Sequence, residues 1–358
     1  MTRTCQAAVF TAVGADIELR TVSTPILKPG QWLVRVTCCT LCGSDLHTVS
    51  GARSSPTPSV LGHEIIGTVE TLPESPVCDI NGQPVRIGDR VTWSVAAACG
   101  HCHRCDSQLP QKCESLFKYG HERFSSGREL SGGLAQFCVL QCGTAVVRLP
   151  DELPDAVACP ANCATATVAA AVRSAGSLTG RRVLVLGAGM LGLTTCAMAD
   201  AAGALTVCLS DPDQQRRRRG VDFGATETTS TVASDDFDCV FEMSGNAAAV
   251  EAAVHAAGIG GRIVLVGSVS PCRPAAVDPE RIVRRLLMIC GVHNYRPDDL
   301  VTAVNFLNQH HQRYPFAELV ECSWPLSQVN AAFSSALQHR PIRVAVVPDE
   351  QFVLRRPD

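Results

Sequence analysis

RRVLVLGAGMLGL, residues 181–193, decides the fold. VLVL (183–186) is a short apolar run of the kind that forms a buried strand, and it stops at Gly187. Gly187-Ala-Gly189-Met190-Leu191-Gly192 then spells G-x-G-x-x-G and opens a segment of helical character. Alone that spacing is weak evidence; between a buried strand and a helix it is the phosphate turn of a doubly wound sheet. The first glycine makes the tight turn, the second lets backbone approach a pyrophosphate, and the third lets helix and strand pack. Met190 and Leu191 start the helix, whose N-terminal N–H groups suit an anion.

The sequence on both sides agrees. Strand-like runs at 205–210, 237–243, 262–267 and 286–292 alternate with helical stretches, which predicts βαβ units and a parallel sheet. TVCLSD (206–211) ends on Asp211, 19 residues after Gly192. A carboxylate there accepts from the adenosine ribose 2′-OH and favours NAD over NADP. The arginines at 216–219 pull the other way, with Arg216 expected to flank that ribose.

Upstream, residues 1 to about 150 are irregular and strand-rich, with runs at 32–36 and 85–92 among Gly and Pro. A helix is expected over Ala164–Ala175. Beyond Tyr295 come two amphipathic helices, at 298–309 and 326–337, and a last strand at Arg343–Val347. We divide the chain into a mainly β domain (1–153) with a cysteine lobe at 95–116, a nucleotide-binding domain (154–293), and a tail (294–358) that returns to the first.

With 358 residues, 46% hydrophobic and 18% charged, the chain can bury two cores. A net charge of −3 offers no field for nucleic acid. No clean apolar stretch reaches membrane length and the N-terminus makes a poor signal peptide, so a cytoplasmic protein is expected. Nineteen cysteines are too irregularly spaced for a secreted disulfide framework and suggest metal ligands plus buried thiols.

Four of them, Cys99, Cys102, Cys105 and Cys113, form C-x2-C-x2-C-x7-C within CGHCHRCDSQLPQKC (99–113). Tight turns allow four such thiolates to converge on one tetrahedral Zn²⁺, and a closed four-sulfur site is structural. His101 and His103 lie between them and are expected to face solvent. Other candidate ligands are dispersed: Cys42 in LCGSDLH (41–47), His63 and Glu64 in LGHEIIG (61–67), and Cys163 in PANCATATVA (160–169). Singly, each is as consistent with a core thiol or a hydrogen-bonded imidazole.

In this order, LCGSDLH, GHE with Gly67, the four-cysteine lobe and GAGMLG resemble the zinc-containing medium-chain alcohol dehydrogenases along essentially the whole chain. The resemblance implies a GroES-like catalytic domain joined to a Rossmann domain, two Zn²⁺ per subunit, and NAD. It implies that Cys42, His63 and Cys163 hold the catalytic zinc, with Glu64 just behind. Ser44 would take the substrate's proton and His47 would pass it to solvent. Thr167 would contact the nicotinamide, and Arg343 the pyrophosphate, supplying the charge that Gly43 lacks. Similar enzymes are dimers or tetramers joined at sheet edges, a role that suits LLMICGV (286–292).

ESLFKYGHERF (114–124), with an insertion at 72–85, is similar to a branch associated with phosphonate metabolism. That implies a hydroxyalkyl phosphonate substrate met by Lys118, His121 and Arg123. The alternatives on the same fold are a non-catalytic zinc-binding module and a thiol redox sensor.

Overall fold

In the computed structural model, residues 4–74, 76–233 and 236–349 are described. They form two units. The first runs to Cys163 and resumes at Arg296–His311 and from Phe316; the second is Ala164–Tyr295 with Gln312–Pro315.

The second unit is a six-stranded, all-parallel sheet. Its order is Glu227–Thr229, Thr206–Ser210, Arg182–Leu186, Phe237–Glu242, Ala257–Leu265 and Met288–Gly291. Val183, Leu184, Val185, Val240, Phe241, Ile263 and Val264 are wholly buried, as expected of strands covered on both faces. Strand order reverses at Arg182–Leu186, so its carboxyl end, where the glycine turn sits, is the switch point at which such sheets bind ligands.

The first unit is built on mainly antiparallel sheets, with one parallel pair, Val320–Pro325 beside Arg343–Val347. Its largest runs Val146–Arg148, Arg90–Trp93, Glu64–Thr71, Trp32–Thr40, Arg343–Val347 and Val320–Pro325, with Phe137–Leu140 also on Trp32–Thr40. The tail therefore does return, contributing two strands to this sheet. Strands 32–40 and 64–71 approach closely because residue 67 is glycine: a Cβ there would lie 2.4 Å from the Arg35 carbonyl oxygen.

Two expectations shift. The run at 85–92 is a strand only over Arg90–Trp93, because Asp89 Oδ2 accepts from Arg86 N–H (2.8 Å) and folds 86–89 into a turn. The boundary expected at 153 falls at Cys163, because residues 154–163 pack on the large sheet of the first unit: Asn162 Nδ2 donates to the His63 and Trp93 carbonyls (3.1 and 2.8 Å), and its Oδ1 accepts from Ile65 N–H (3.2 Å). The loop at 72–85 closes on itself through Asp79, which accepts from the Asn81 and Gln83 N–H groups. Among the described residues, no single helix is long and apolar enough to cross a membrane.

Candidate active site and metal centres

The cysteine lobe brings its four sulfurs together. All four lie within 4.8 Å of one another, with Cys102 Sγ 3.6 Å from Cys105 Sγ and 3.9 Å from Cys113 Sγ. A tetrahedron with zinc–sulfur bonds of about 2.3 Å has edges of about 3.8 Å, so the donor set fits zinc. Backbone N–H groups reinforce the thiolate character; those of Glu114 and Cys105 bring Cys102 down to about 6, and Cys99 N–H donates to Cys113 Sγ at 3.2 Å. His101 and His103 are exposed, as expected.

The second cluster is assembled from three separate elements. Cys42 caps the short helix Gly43–Val49, His63 precedes the strand Glu64–Thr71, and Cys163 closes the 3-10 turn Cys159–Asn162. Their ligand atoms lie within 4.8 Å of one another. His63 is turned inward by Gly62, whose φ of +86° suits glycine and whose missing side chain leaves room for Cys39 Sγ and Leu134. The Cys42 and Cys163 thiols hydrogen-bond, which lowers the first and raises the second. Burial opposes charge on His63, yet Asp45 outweighs it and lifts the imidazole to about 10. The pocket thus attracts positive charge, and two thiols with one imidazole match a catalytic zinc site with an open position.

Sequence reasoning missed what holds these ligands. Asp45 Oδ2 accepts from Cys42 N–H (3.0 Å), while Oδ1 accepts from Gly62 N–H (3.2 Å) and stands 3.4 Å from His63 Nδ1. One buried carboxylate thus braces two ligand segments, the outer support that metal-binding histidines need. Its only trace in the sequence was an acid in a helix's first turn, which reads as a cap. Asn162 anchors the Cys163 turn to the His63 segment, as described above.

Glu64 is wholly buried behind the cluster. Arg343 clamps it through Nε (2.8 Å) and Nη2 (2.9 Å), and Thr40 Oγ1 donates to it at 2.6 Å. Arg343 is buried, pairs with Glu64, donates to its neighbour's carbonyl at Ile342, and reaches toward Cys42 Sγ (3.8 Å).

Ser44 Oγ lies 3.3 Å from His63 Nε2, beside the ligand set. His47 is exposed, three residues further along the same short helix and so on the same side of it. Lys118 is half-buried on the strand Phe117–Lys118, and burial followed by the charge of Arg53 lowers its pKa. The His121 ring lies 5.2 Å from that of His63. Burial, then His63 and Lys118, pushes His121 down to about 3, which disfavours its charged form. Arg123 is exposed, in a backbone bridge with Ser59.

In the second unit, Gly187 has a φ of +103°, and a Cβ on Gly192 would lie 1.7 Å from the Gly187 carbonyl oxygen. Gly189 caps the helix Met190–Ala201 and has open space where its Cβ would point, a cradle that fits a pyrophosphate. Asp211 braces this turn, accepting from Ala188 N–H (2.7 Å) and Asp213 N–H (2.8 Å). The Arg216 N–H caps onto Asp213, and Arg217 Nη1 donates to the Asp211 carbonyl. Thr167 lies half-buried in the helix Ala164–Ala175. Glu242, also missed, is wholly buried at the end of its strand; it accepts from Ser244 and Gly245 N–H and from Ser268 Oγ, tying two loops of the switch point together.

Comparison with known proteins agrees with this geometry. Residues 28–151 match the alcohol dehydrogenase GroES-like domain, and residues 191–309 match the zinc-binding dehydrogenase domain. The chain is 30% identical over 336 residues to 5-exo-hydroxycamphor dehydrogenase of Pseudomonas putida, covering 88% of this chain and 91% of that one. An alcohol dehydrogenase structure from Thermotoga maritima superposes with a TM-score of 0.91 at 23% identity, covering 97% of this chain and 100% of that one. A zinc-binding dehydrogenase from Sinorhizobium meliloti, bound to NADP, has a TM-score of 0.85 at 26% identity, with coverage of 97% and 100%. Two domain matches in the expected order, together with a full-length relative, establish that this chain belongs to the zinc-dependent medium-chain alcohol dehydrogenase family, the NAD(P)-linked oxidoreductases that act on CH–OH groups.

Proposed function

We propose that the protein interconverts a small alcohol and its carbonyl compound at the Cys42, His63 and Cys163 centre, with Ser44 and His47 moving the proton. The observation that carries this is the position of Ser44 Oγ, 3.3 Å from a ligand imidazole and on the helix that also bears exposed His47. When bound, zinc supplies Lewis acidity toward the hydroxyl oxygen, and NAD(P) supplies the two-electron acceptor. The Ser44 hydroxyl accepts the proton leaving the substrate, and His47 releases it to water. Cys42, His63 and Cys163 fix the reacting oxygen's position; Asp45, Asn162 and the Glu64–Arg343 pair hold those three in place.

Gly187, Gly189 and the N–H groups of Met190, Leu191 and Gly192 receive the cofactor's pyrophosphate; Asp211 and Arg216 flank its ribose, and Thr167 its nicotinamide. Asp211 favours NAD, although both its oxygens already accept backbone N–H groups. The finer reading of the substrate is a hydroxyalkyl phosphonate, supported by the half-buried Lys118, whose electrostatic neighbours include Cys163 and Cys42. The edge strand Met288–Gly291 exposes Met288 and Ile289 and pairs on one side, which suits a homodimer or homotetramer. Six thiol ligands suit the reducing cytoplasm.

Initial rates with NAD and NADP across an alcohol panel that includes 2-hydroxyethyl- and 2-hydroxypropylphosphonate test this reading. NAD-linked oxidation of a phosphonate is expected. A zinc-loaded protein that reduces neither cofactor with any alcohol would revive the non-catalytic module.

A further inference from the structure

The glycine turn is held from both neighbouring strands by a buried carboxylate. Leu186, the last residue of the strand before the turn, pairs with Ser210 on one side and with Glu242 on the other. Gly187 N–H continues the ladder to the Ser210 carbonyl (2.8 Å), and Met243 N–H bonds the Leu186 carbonyl (2.9 Å). Each flanking strand delivers an acid at its carboxyl end: Asp211 just after Ser210, and Glu242 itself.

Asp211 reaches into the turn. Its Oδ2 accepts at 2.7 Å from the N–H of Ala188, the residue between the first two glycines, while Oδ1 accepts from Asp213 N–H at 2.8 Å. Ala188 is wholly buried, and an N–H stripped of its acceptor there bears the full cost of desolvation. Glu242 acts through Ser244. Its Oε1 accepts from Ser244 N–H, Ser244 Oγ and Gly245 N–H, each at 2.7 Å, and Oε2 accepts from Ser268 Oγ at 3.2 Å. This fixes Ser244 where Gly187 packs on it: a Cβ on Gly187 would lie 3.0 Å from both Ser244 N and Ser244 Cβ. The next loop is seated the same way, since a Cβ on Gly267 would lie 2.3 Å from Gly245 N.

A turn that offers N–H groups to a pyrophosphate binds more tightly when its shape is set beforehand. We propose that Asp211 and Glu242 are positioning residues that preorganise this turn, so that Asp211 supports the cofactor through Ala188 as well as through the adenosine ribose. Each Asp211 oxygen keeps a second lone pair, so the brace and a ribose contact coexist. The proposal rests on the cofactor reading of the same turn and adds a second role to Asp211 and a first to Glu242.

The test is equilibrium binding of NADH, and of its analogue carrying 2′-deoxyadenosine, followed by nicotinamide fluorescence on zinc-loaded protein. The unaltered protein is expected to bind both. D211A should weaken the two ligands by the same factor, about 10- to 100-fold, because the brace is lost whichever ribose is present. D211N, which keeps one acceptor oxygen, should lose less. E242A should weaken both ligands as D211A does, and E242Q should recover most of that loss, since its amide oxygen keeps three donors and its NH2 meets Ser268 Oγ. If E242A does not fold, S268A carries that arm, with both ligands weakened about 2- to 10-fold. A D211A protein that loses NADH affinity alone, with the deoxy analogue unmoved, confines Asp211 to the ribose and overturns the proposal. So do D211A and E242A proteins that melt earlier yet bind both ligands as before. Failure of the unaltered protein to bind either ligand would instead defeat the cofactor reading, and the proposal with it.

Discussion

The two candidate metal centres of the first unit use similar donors and are built in opposite ways. The lobe takes four sulfurs from fifteen consecutive residues, 99–113, and needs little beyond its own turns and N–H groups. The second centre takes three ligands from residues 42, 63 and 163 and depends on a surrounding layer: Asp45, Asn162, and Glu64 clamped by Arg343. A closed site can be local because it only has to hold a metal. An open site must hold its geometry with one corner unfilled, so rigidity has to come from elsewhere in the fold.

That contrast predicts separable failures. The largest effect is expected in the lobe. Cys102→Ser should remove its zinc, whose binding contributes on the order of 10 kcal/mol to folding in isolated zinc modules. Zinc should fall from two to one per subunit and the thermal midpoint should collapse, while turnover per folded molecule changes far less; metal analysis with calorimetry checks this.

At the second centre the pattern should invert. Ser44→Ala should lower kcat about 10²- to 10⁴-fold with both zincs retained, read by steady-state kinetics and metal content. Arg343→Met leaves Glu64 buried without its cation and should cost about 3–5 kcal/mol of stability, read by denaturant unfolding. Asp45→Asn, which keeps the shape and removes the charge beside His63, should weaken zinc binding at this centre about 10- to 100-fold and leave the lobe untouched. If Ser44→Ala instead destabilised the protein and spared kcat, the comparison would break.

How much of this was legible in the sequence follows the same division. The lobe could be read from spacing alone, and so could the glycine turn, since local geometry dictates both. The helix Ala164–Ala175 and the strand Arg343–Val347 fall where their patterns put them. The catalytic ligands were legible only through their resemblance to a family, because contact between residues 42 and 163 leaves no local periodicity. Asp45 and Glu242 left almost no trace: an acid near a helix or strand end reads as a cap or a surface charge, and burial reveals that it is a brace. The pairing of Arg343 with Glu64 was not legible, because sequence could not show that Glu64 lies within 3 Å of its guanidinium.

The most direct test of the account is zinc per subunit, followed through graded chelation with alcohol-dependent NAD(P) reduction measured on the same samples. Two zincs are predicted, with activity lost as the first leaves and the fold retained until the second goes. A single zinc held by the four-cysteine lobe, with no turnover before or after chelation, would contradict the claim that Cys42, His63 and Cys163 form a catalytic centre.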